Sequence, residues 1–308
     1  MPGTGTPALI IVDVKSRHNN TRAARARPHA TCKWLNYYEF FMPLINILPV
    51  TLGTVMALML AAWLVSVQKG KACLADSFWG PGFILVAWVT CLVGPGTPRS
   101  YLTAVLITLW GFRLALHISL RNWEKPEDRR YQSMRDHHGP KFWWISLFSV
   151  FLLQGFILWV ISLAPQIAQA SPQPAALTWL DAVGILIWTA GMTIESVADY
   201  QMQKFRNNPD NREKVMDRRL WAWTRHPNYF GESLIWWGIF CMALAVPGGW
   251  ITIISPLLIT FLLLKVSGVA MLEKDIGSRR PGYEEYKNRV NAFFPWFPSK
   301  KQPSSKQN

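Results

Sequence analysis

Long apolar runs, each near the length that crosses a bilayer, constrain this sequence more than any other feature. A spanning helix needs about 20 mostly apolar residues. Seven such runs lie near 41–67, 81–96, 101–120, 143–165, 177–198, 230–247 and 250–272, the second and sixth of them short. They predict an all-α fold, a polytopic membrane bundle of about seven transmembrane helices. Half of the residues are hydrophobic, 17 are tryptophan, and only 16% are charged. That is more apolar surface than a soluble core of this size hides, so lipid is the expected solvent.

The net charge of +14 does not point to nucleic acid, because the basic residues lie between the apolar runs and at both ends rather than along one continuous face. Membrane topology and an anionic cofactor explain them better. Cys32, Cys73, Cys91 and Cys241 have no CxxC spacing and no histidine cluster beside them, so neither a metal site nor a disulfide framework is expected.

Charge also sets the expected orientation. Arg121, Lys125, Arg129, Arg130, Arg135 and Lys141 fill one loop, and Lys204, Arg206, Arg212, Lys214, Arg218, Arg219 and Arg225 another, whereas 166–176 and 247–250 carry no Lys or Arg. The positive-inside rule puts both basic loops and the C-terminus in the cytoplasm. Seven spans then leave the N-terminus outside, although 1–35 holds Lys15, Arg17, Arg22, Arg25, Arg27 and Lys33. Three resolutions stand. The first run, interrupted by Pro43 and Pro49, is two short segments; or the leader is a removed targeting sequence; or the later helices dominate the topology. The expected organisation is a basic, disordered segment 1–35, a transmembrane domain 36–297 and a disordered tail 298–308.

Polar residues at one end of the runs are the candidates for chemistry. Glu195 and Asp199 are four apart and share a helix face, with Arg206 seven residues further on the same face. Carboxylates at that depth are costly in lipid and expected to face a partner or a polar cavity. A carboxylate among cations suits ribose or amide groups beside phosphates, and an ion pair closing the helix is the plainer alternative. In Thr224-Arg225-His226-Pro227-Asn228-Tyr229-Phe230-Gly231-Glu232 the proline is placed to open a helix, whose free amides suit an anion. The stretch from Glu273 to Tyr286, with Arg279, Arg280, Tyr283 and Tyr286, reads as a lid over an anionic ligand or as headgroup anchors. Arg113, one turn from Trp110 inside the third run, needs a partner, an anionic ligand or a path to the interface.

These residues resemble the steroid 5α-reductase superfamily, and more closely its bacterial-type branch of steroid-reductase-like membrane proteins. The resemblance covers Asp76 to Phe297. It is carried by Asp76-Ser77-Phe78-Trp79-Gly80, Trp110-Gly111-Phe112-Arg113, Asp128-Arg129-Arg130-Tyr131, Arg225 through Glu232, and Arg280 through Tyr286. It implies a seven-helix bundle that binds NADPH from the cytoplasmic side and reduces an activated carbon–carbon double bond in a lipid-like substrate.

The matching cofactor positions are Asp199, Arg206 and Asn228, with Glu232 and Arg113 beside them. Glu195, Lys214, Arg225, His226, Tyr229, Arg279, Arg280 and Tyr283 complete the cofactor-binding candidates. Three departures matter. Glu195 stands where the family has Asn and adds negative charge near a polyanionic ligand. Trp110 stands where the family has the tyrosine thought to polarise the steroid ketone. The second segment has no Gln-Glu pair corresponding to the family's substrate-contacting pair, Asp76 and Trp79 being nearest. Trp79 and Trp110 are the substrate-side candidates, and Tyr131, Asp76 and Tyr229 the candidate proton sources.

Two other classes fit the same residues. A membrane methyltransferase of the isoprenylcysteine or phospholipid type also carries an Arg-His-Pro-X-Tyr motif, and its S-adenosylmethionine sulfonium would tolerate Glu195. A non-catalytic lipid-binding protein would keep the bundle without turnover.

Overall fold

The computed structural model describes residues 29–122, 126–266, 268–269, 272–273 and 280–299. Among them there is helix and no strand. Residues 1–28 of the basic leader and 300–308 of the tail lie outside the described residues. The chain divides into two units, Met1–Tyr38 and Glu39–Asn308, and the bundle with its candidate site belongs to the second.

Helix α1 (His29–Lys69) carries Pro43 and Pro49 inside it without a break, so the first apolar run is not two short segments. Each proline removes one N–H, a loss that membrane helices tolerate when neighbouring groups satisfy the freed carbonyls. After it come α2 (Leu74–Ser77), α3 (Trp79–Val93) and α4 (Pro98–Asn122). The stretch Arg129–Ile161 is helical almost throughout: α5 (Arg129–His138), a 3-10 turn, α6 (Phe142–Ser146), a π-helix over Leu147–Leu152, and α7 (Leu153–Ile161). Then follow α8 (Leu163–Ala170), α9 (Trp179–Asn207), α10 (Pro227–Ala243), α11 (Ile254–Phe261) and α12 (Tyr283–Arg289).

Five stretches are long and apolar enough to cross a membrane by length and composition: Pro43–Lys69, Pro98–Arg121, Arg129–Ile161, Trp179–Asn207 and Gly249–Val266. The two short runs of the sequence become α3, of 15 residues, and α10, of 17. These fit an integral membrane protein.

Two helix pairs meet backbone to backbone. A Cβ on Gly184 would lie 2.6 Å from the Gly238 carbonyl oxygen, and one on Gly191 2.6 Å from that of Gly231. The two contacts are seven residues apart on each helix, so α9 and α10 lie antiparallel with no side chain between them at either point. Small residues permit this approach, on which helices in lipid rely because water exclusion does not drive them together. Gly80 of α3 and Gly111 of α4 repeat the device, with a Cβ on Gly80 only 2.2 Å from the Gly111 carbonyl oxygen.

The core between these pairs is aromatic. Trp110 and Trp236 are fully buried and meet edge to face at 5.2 Å, and Phe83 packs 5.3 Å from Trp110 and 4.7 Å from Trp236. At the far end Arg99 and Asp181 form a buried ion pair: Nε donates to Oδ1 at 2.7 Å and Nη2 to Oδ2 at 2.8 Å. Asp181 also accepts from the Thr178 amide and hydroxyl, which starts α9 with a reciprocal cap. Arg99 spends its other donors on the carbonyls of Pro174 and Ala176.

Candidate functional site

The site is built on α4, α9 and α10. Arg113 of α4 points at α9, where Nη1 donates to Glu195 Oε1 and Nη2 to Asp199 Oδ2. The i, i+4 spacing stacks the two carboxylates on one face, and the guanidinium fork bridges them as a planar donor can. His117, one turn along α4, places Nε2 3.7 Å from Asp199 Oδ2. The close contact of α9 and α10 brings a third carboxylate. A Cβ on Gly231 would lie 2.6 Å from the Glu195 amide nitrogen, so Glu232, the next residue, sits within electrostatic reach of Arg113, Asp199 and Glu195.

Two buried acceptors here have no partner among the described residues, Glu195 Oε2 and Asn228 Oδ1. Buried polar atoms are nearly always satisfied, so these two acceptors are the open hydrogen-bonding capacity of the cluster. Tyr229 of α10 belongs to it as well. Its ring stacks on His226 at 5.5 Å, and its phenol lies within the fields of Glu232, Arg121, Asp199 and Arg130.

A second network lies beside the first, and its hydrogen bonds run one way. Trp79 Nε1 donates to Gln154 Oε1 at 2.6 Å. An indole nitrogen only donates, so the amide of Gln154 must turn its Nε2 toward Tyr131, where it donates to Oη at 2.9 Å. Tyr131 then gives its own hydrogen to Asp76 Oδ1 at 2.6 Å, and Arg130 Nη2 donates to Asp76 Oδ2 at 2.8 Å. Every proton in the chain is directed at Asp76.

The start of α2, the short helix that carries Asp76, is fastened by Glu127, which accepts from the amides of Ala72 and Cys73 at 3.0 and 2.8 Å. Arg135 donates to Glu127 at 2.9 Å. Burial alone would raise the Glu127 carboxyl, but the Arg135 and amide hydrogen bonds outweigh it and leave it below the usual carboxylate range. A carboxylate at a helix start is favourable in any case.

The third group closes the C-terminal end of the chain. Arg225 Nε and Nη2 donate to Glu273 at 2.8 and 3.0 Å, and His226 Nε2 lies 3.0 Å from the same carboxylate. Arg225 also donates to the carbonyls of Lys287 and Val290, and its amide to the Asn291 carbonyl at 2.8 Å. Thr224 Oγ1 donates to the Phe293 carbonyl at 2.9 Å, Arg280 to the Lys214 carbonyl, and Arg289 Nη2 to Asp217 at 2.9 Å. The segment 280–299 is thereby zipped to the loop before α10. Burial raises the Glu273 carboxyl, but His226 and Arg225 more than offset this and hold it at about 2.

The structure brings Arg113, Glu195, Asp199, Asn228, Tyr229 and Glu232 together, and Asp76, Trp79 and Tyr131 beside them. Arg206 is exposed, makes no hydrogen bond or ion pair among the described residues, and lies close enough to Arg121 and Arg280 to repel them while it faces Asp199 and Tyr229. Arg225 and His226, also cofactor candidates, both contact Glu273. Tyr283 is buried against Tyr286 and near Glu273. The Lys214 side chain is exposed. Arg279 lies outside the described residues. Trp110 is in the aromatic floor, its Nε1 without a partner among the described residues.

Three contributors were not among the sequence candidates. Gln154 lies in an apolar run, where an amide is costly unless bonded, and that cost was the signal. Glu127 and His117 had no such mark, since their partners are 54 and 82 residues away in the chain.

The family described as "Protein of unknown function (DUF1295)" matches residues 62–290. An uncharacterized protein of Schizosaccharomyces pombe is 22% identical, covering 85% of this chain and 83% of its own length. No solved structure matches.

Proposed function

The chain belongs to the DUF1295 family, over residues 62–290, and on that premise we propose that it is an NADPH-dependent membrane reductase acting on an activated carbon–carbon double bond in a lipid-like substrate. The family is related to steroid 5α-reductase-like proteins. The observation that carries the reading is the partition of charge. Arg206, a cation that makes no ion pair among the described residues, stands at the rim, and unsatisfied acceptors stand inside.

NADPH fits that partition. Arg206, with Arg121 and Arg280 near it, supplies positive charge for phosphates. Glu195 Oε2 and Asn228 Oδ1 would accept from ribose hydroxyls or a carboxamide. Bound there, the cofactor would supply a hydride to the β-carbon of an enone. The chain's own residues would do the rest. Arg113 fixes Glu195 and Asp199, and the floor of Phe83, Trp110 and Trp236 keeps water from the reacting atoms. In the resting arrangement the Tyr131 hydrogen is directed at Asp76, so Tyr131 can protonate a substrate only by turning away from that carboxylate. Tyr229 Oη, with no hydrogen bond among the described residues, can donate directly. The cytoplasm is the side from which this reading supplies the cofactor.

One observation favours a second reading. Three carboxylates, Glu195, Asp199 and Glu232, surround the single guanidinium of Arg113, an excess that suits the sulfonium of S-adenosylmethionine in a methyltransferase. Thermal unfolding of the detergent-purified protein with NADPH, NADH or S-adenosylmethionine separates the two, since a ligand that binds only the native state raises its stability. The reductase reading expects stabilisation by NADPH that Arg206→Ala abolishes. Stabilisation by S-adenosylmethionine alone would replace it, and no response to any of the three would leave a lipid-binding protein without turnover.

A further inference from the structure

Where α9 leaves the bundle, its surface carries a concavity that shares no residue with the cluster around Arg113 and Glu195. It has a volume of about 240 Å³, a floor of Phe205 and Met216, and a wall formed by Lys204, Arg218 and Arg219. No carboxylate lines it. Drug-sized ligands occupy pockets of about 300–1,000 Å³, so this one suits a headgroup rather than a whole dinucleotide. Lys204, Arg218 and Arg219 make no side-chain hydrogen bond or ion pair among the described residues.

Two further features decide what it holds. Arg219 has φ of +58° and is the only non-glycine residue among those described with positive φ. Glycine or asparagine fits that backbone without strain, so a long cationic side chain is kept there against local preference, as happens where a ligand uses it. Below the cavity runs an apolar track. Leu186, Ala190, Val197 and Tyr200, all exposed, lie on the face of α9 that leads to Lys204, with the exposed Thr189 and Thr193 between Leu186 and Val197. Tyr200 also forms part of the cavity wall.

From this arrangement we propose that the cavity is a binding site for the phosphate headgroup of an anionic phospholipid, with the acyl chains laid along α9. Its ligand is a structural lipid, so the site stands independently of the reductase reading. Three cations around a small hollow attract an anionic headgroup. The apolar track is what separates a lipid from a free phosphate, which would have no use for it.

The test is a melt of the full chain in neutral detergent, titrated with short-chain phosphatidylglycerol, short-chain phosphatidylcholine, glycerol phosphate or inorganic phosphate. Phosphatidylglycerol is expected to raise the melting temperature saturably and the other three not to. Lys204→Ala and Arg218→Ala should each weaken the response about five-fold. Arg219→Gly separates binding from folding: it removes the cation and the strain together, so the lipid-free protein should melt no lower while its response to phosphatidylglycerol falls. An undiminished response in Arg219→Gly and Arg218→Ala overturns the proposal. So does an equal response to phosphatidylcholine, and an equal response to glycerol phosphate or inorganic phosphate assigns the cavity to a soluble anion instead.

Discussion

Gln154 and Tyr131 are joined by a hydrogen bond whose direction is fixed from outside: the Trp79 indole can only donate, so Gln154 must offer its nitrogen to the Tyr131 oxygen at 2.9 Å. Removing either partner leaves a buried polar group unmatched. Gln154→Leu and Tyr131→Phe are each expected to lower stability by about 1–3 kcal/mol. The double variant should lose less than the two single losses together, with a coupling of about 1 kcal/mol. Melts of the four proteins in one detergent measure this, and strict additivity would mean the bond is not made in solution.

Gly231 admits no side chain. The atom that its Cβ would meet, the Glu195 amide nitrogen at 2.6 Å, belongs to the backbone and cannot swing aside. Gly231→Ala is expected to cost at least about 1–3 kcal/mol. Gly53 of α1 has nothing within 4 Å, and Gly53→Ala should be neutral or stabilising by about 0.5–1 kcal/mol. Comparable melting temperatures for the two variants would contradict the close packing of α9 on α10.

The Glu273 carboxyl, held at about 2 rather than its ordinary 4.5 by His226 and Arg225 against the effect of burial, gives the fold an acid-sensitive latch. Because its folded pKa is depressed, its contribution is complete above about 4.5 and fades as pH falls toward about 2. A shift of that size corresponds to roughly 3 kcal/mol. Glu273→Gln should therefore be less stable at neutral pH and show a flatter loss of stability between pH 4.5 and 2. Glu127 and Asp128 are also held low, so some acid dependence survives in the variant. Parallel curves for the two proteins would remove Glu273 as the latch.

At the opposite end, Arg99 and Asp181 are both about 1% exposed. Asp181→Asn leaves a guanidinium buried without its counter-charge and is expected to cost about 3–5 kcal/mol. Arg99→Met combined with Asp181→Leu should recover part of that loss, because neither buried charge remains. A double variant no better than Asp181→Asn alone would show that the carbonyls and the Thr178 cap, rather than the charge pair, hold this end together.

Much of the architecture could be read from the chain because lipid leaves few ways to satisfy a backbone, and runs such as 101–120 and 177–198 announce helices. Pro43 and Pro49 made a divided first run one of three readings, because proline breaks helices in water more readily than here, where one helix passes through both positions. At the site, the Glu195 and Asp199 pair was legible from spacing alone, and so was the need of Arg113 for a partner. What spacing could not reveal is which carboxylate answers which cation. Arg225 is drawn to Glu273, 48 residues on, and Tyr131 to Gln154 and Asp76, 23 and 55 residues away. Such pairings depend on how helices are laid side by side. The glycines that decide this, at 184, 191, 231 and 238, carry no chemical label in the sequence.

Those glycines also determine which parts of the cluster can move apart. With α9 and α10 seated on one another at two points, Glu195, Asp199, Asn228 and Glu232 ride on a single stiff plate. On the proposed reading, access for the cofactor would come from what surrounds the plate: a tilt of the helix that carries Arg113, or an unfastening of the row of contacts from Thr224 to Phe293. The second route would register first as a change in how readily a protease cuts the C-terminal segment, while the spacing between the two glycine-bearing helices stayed constant.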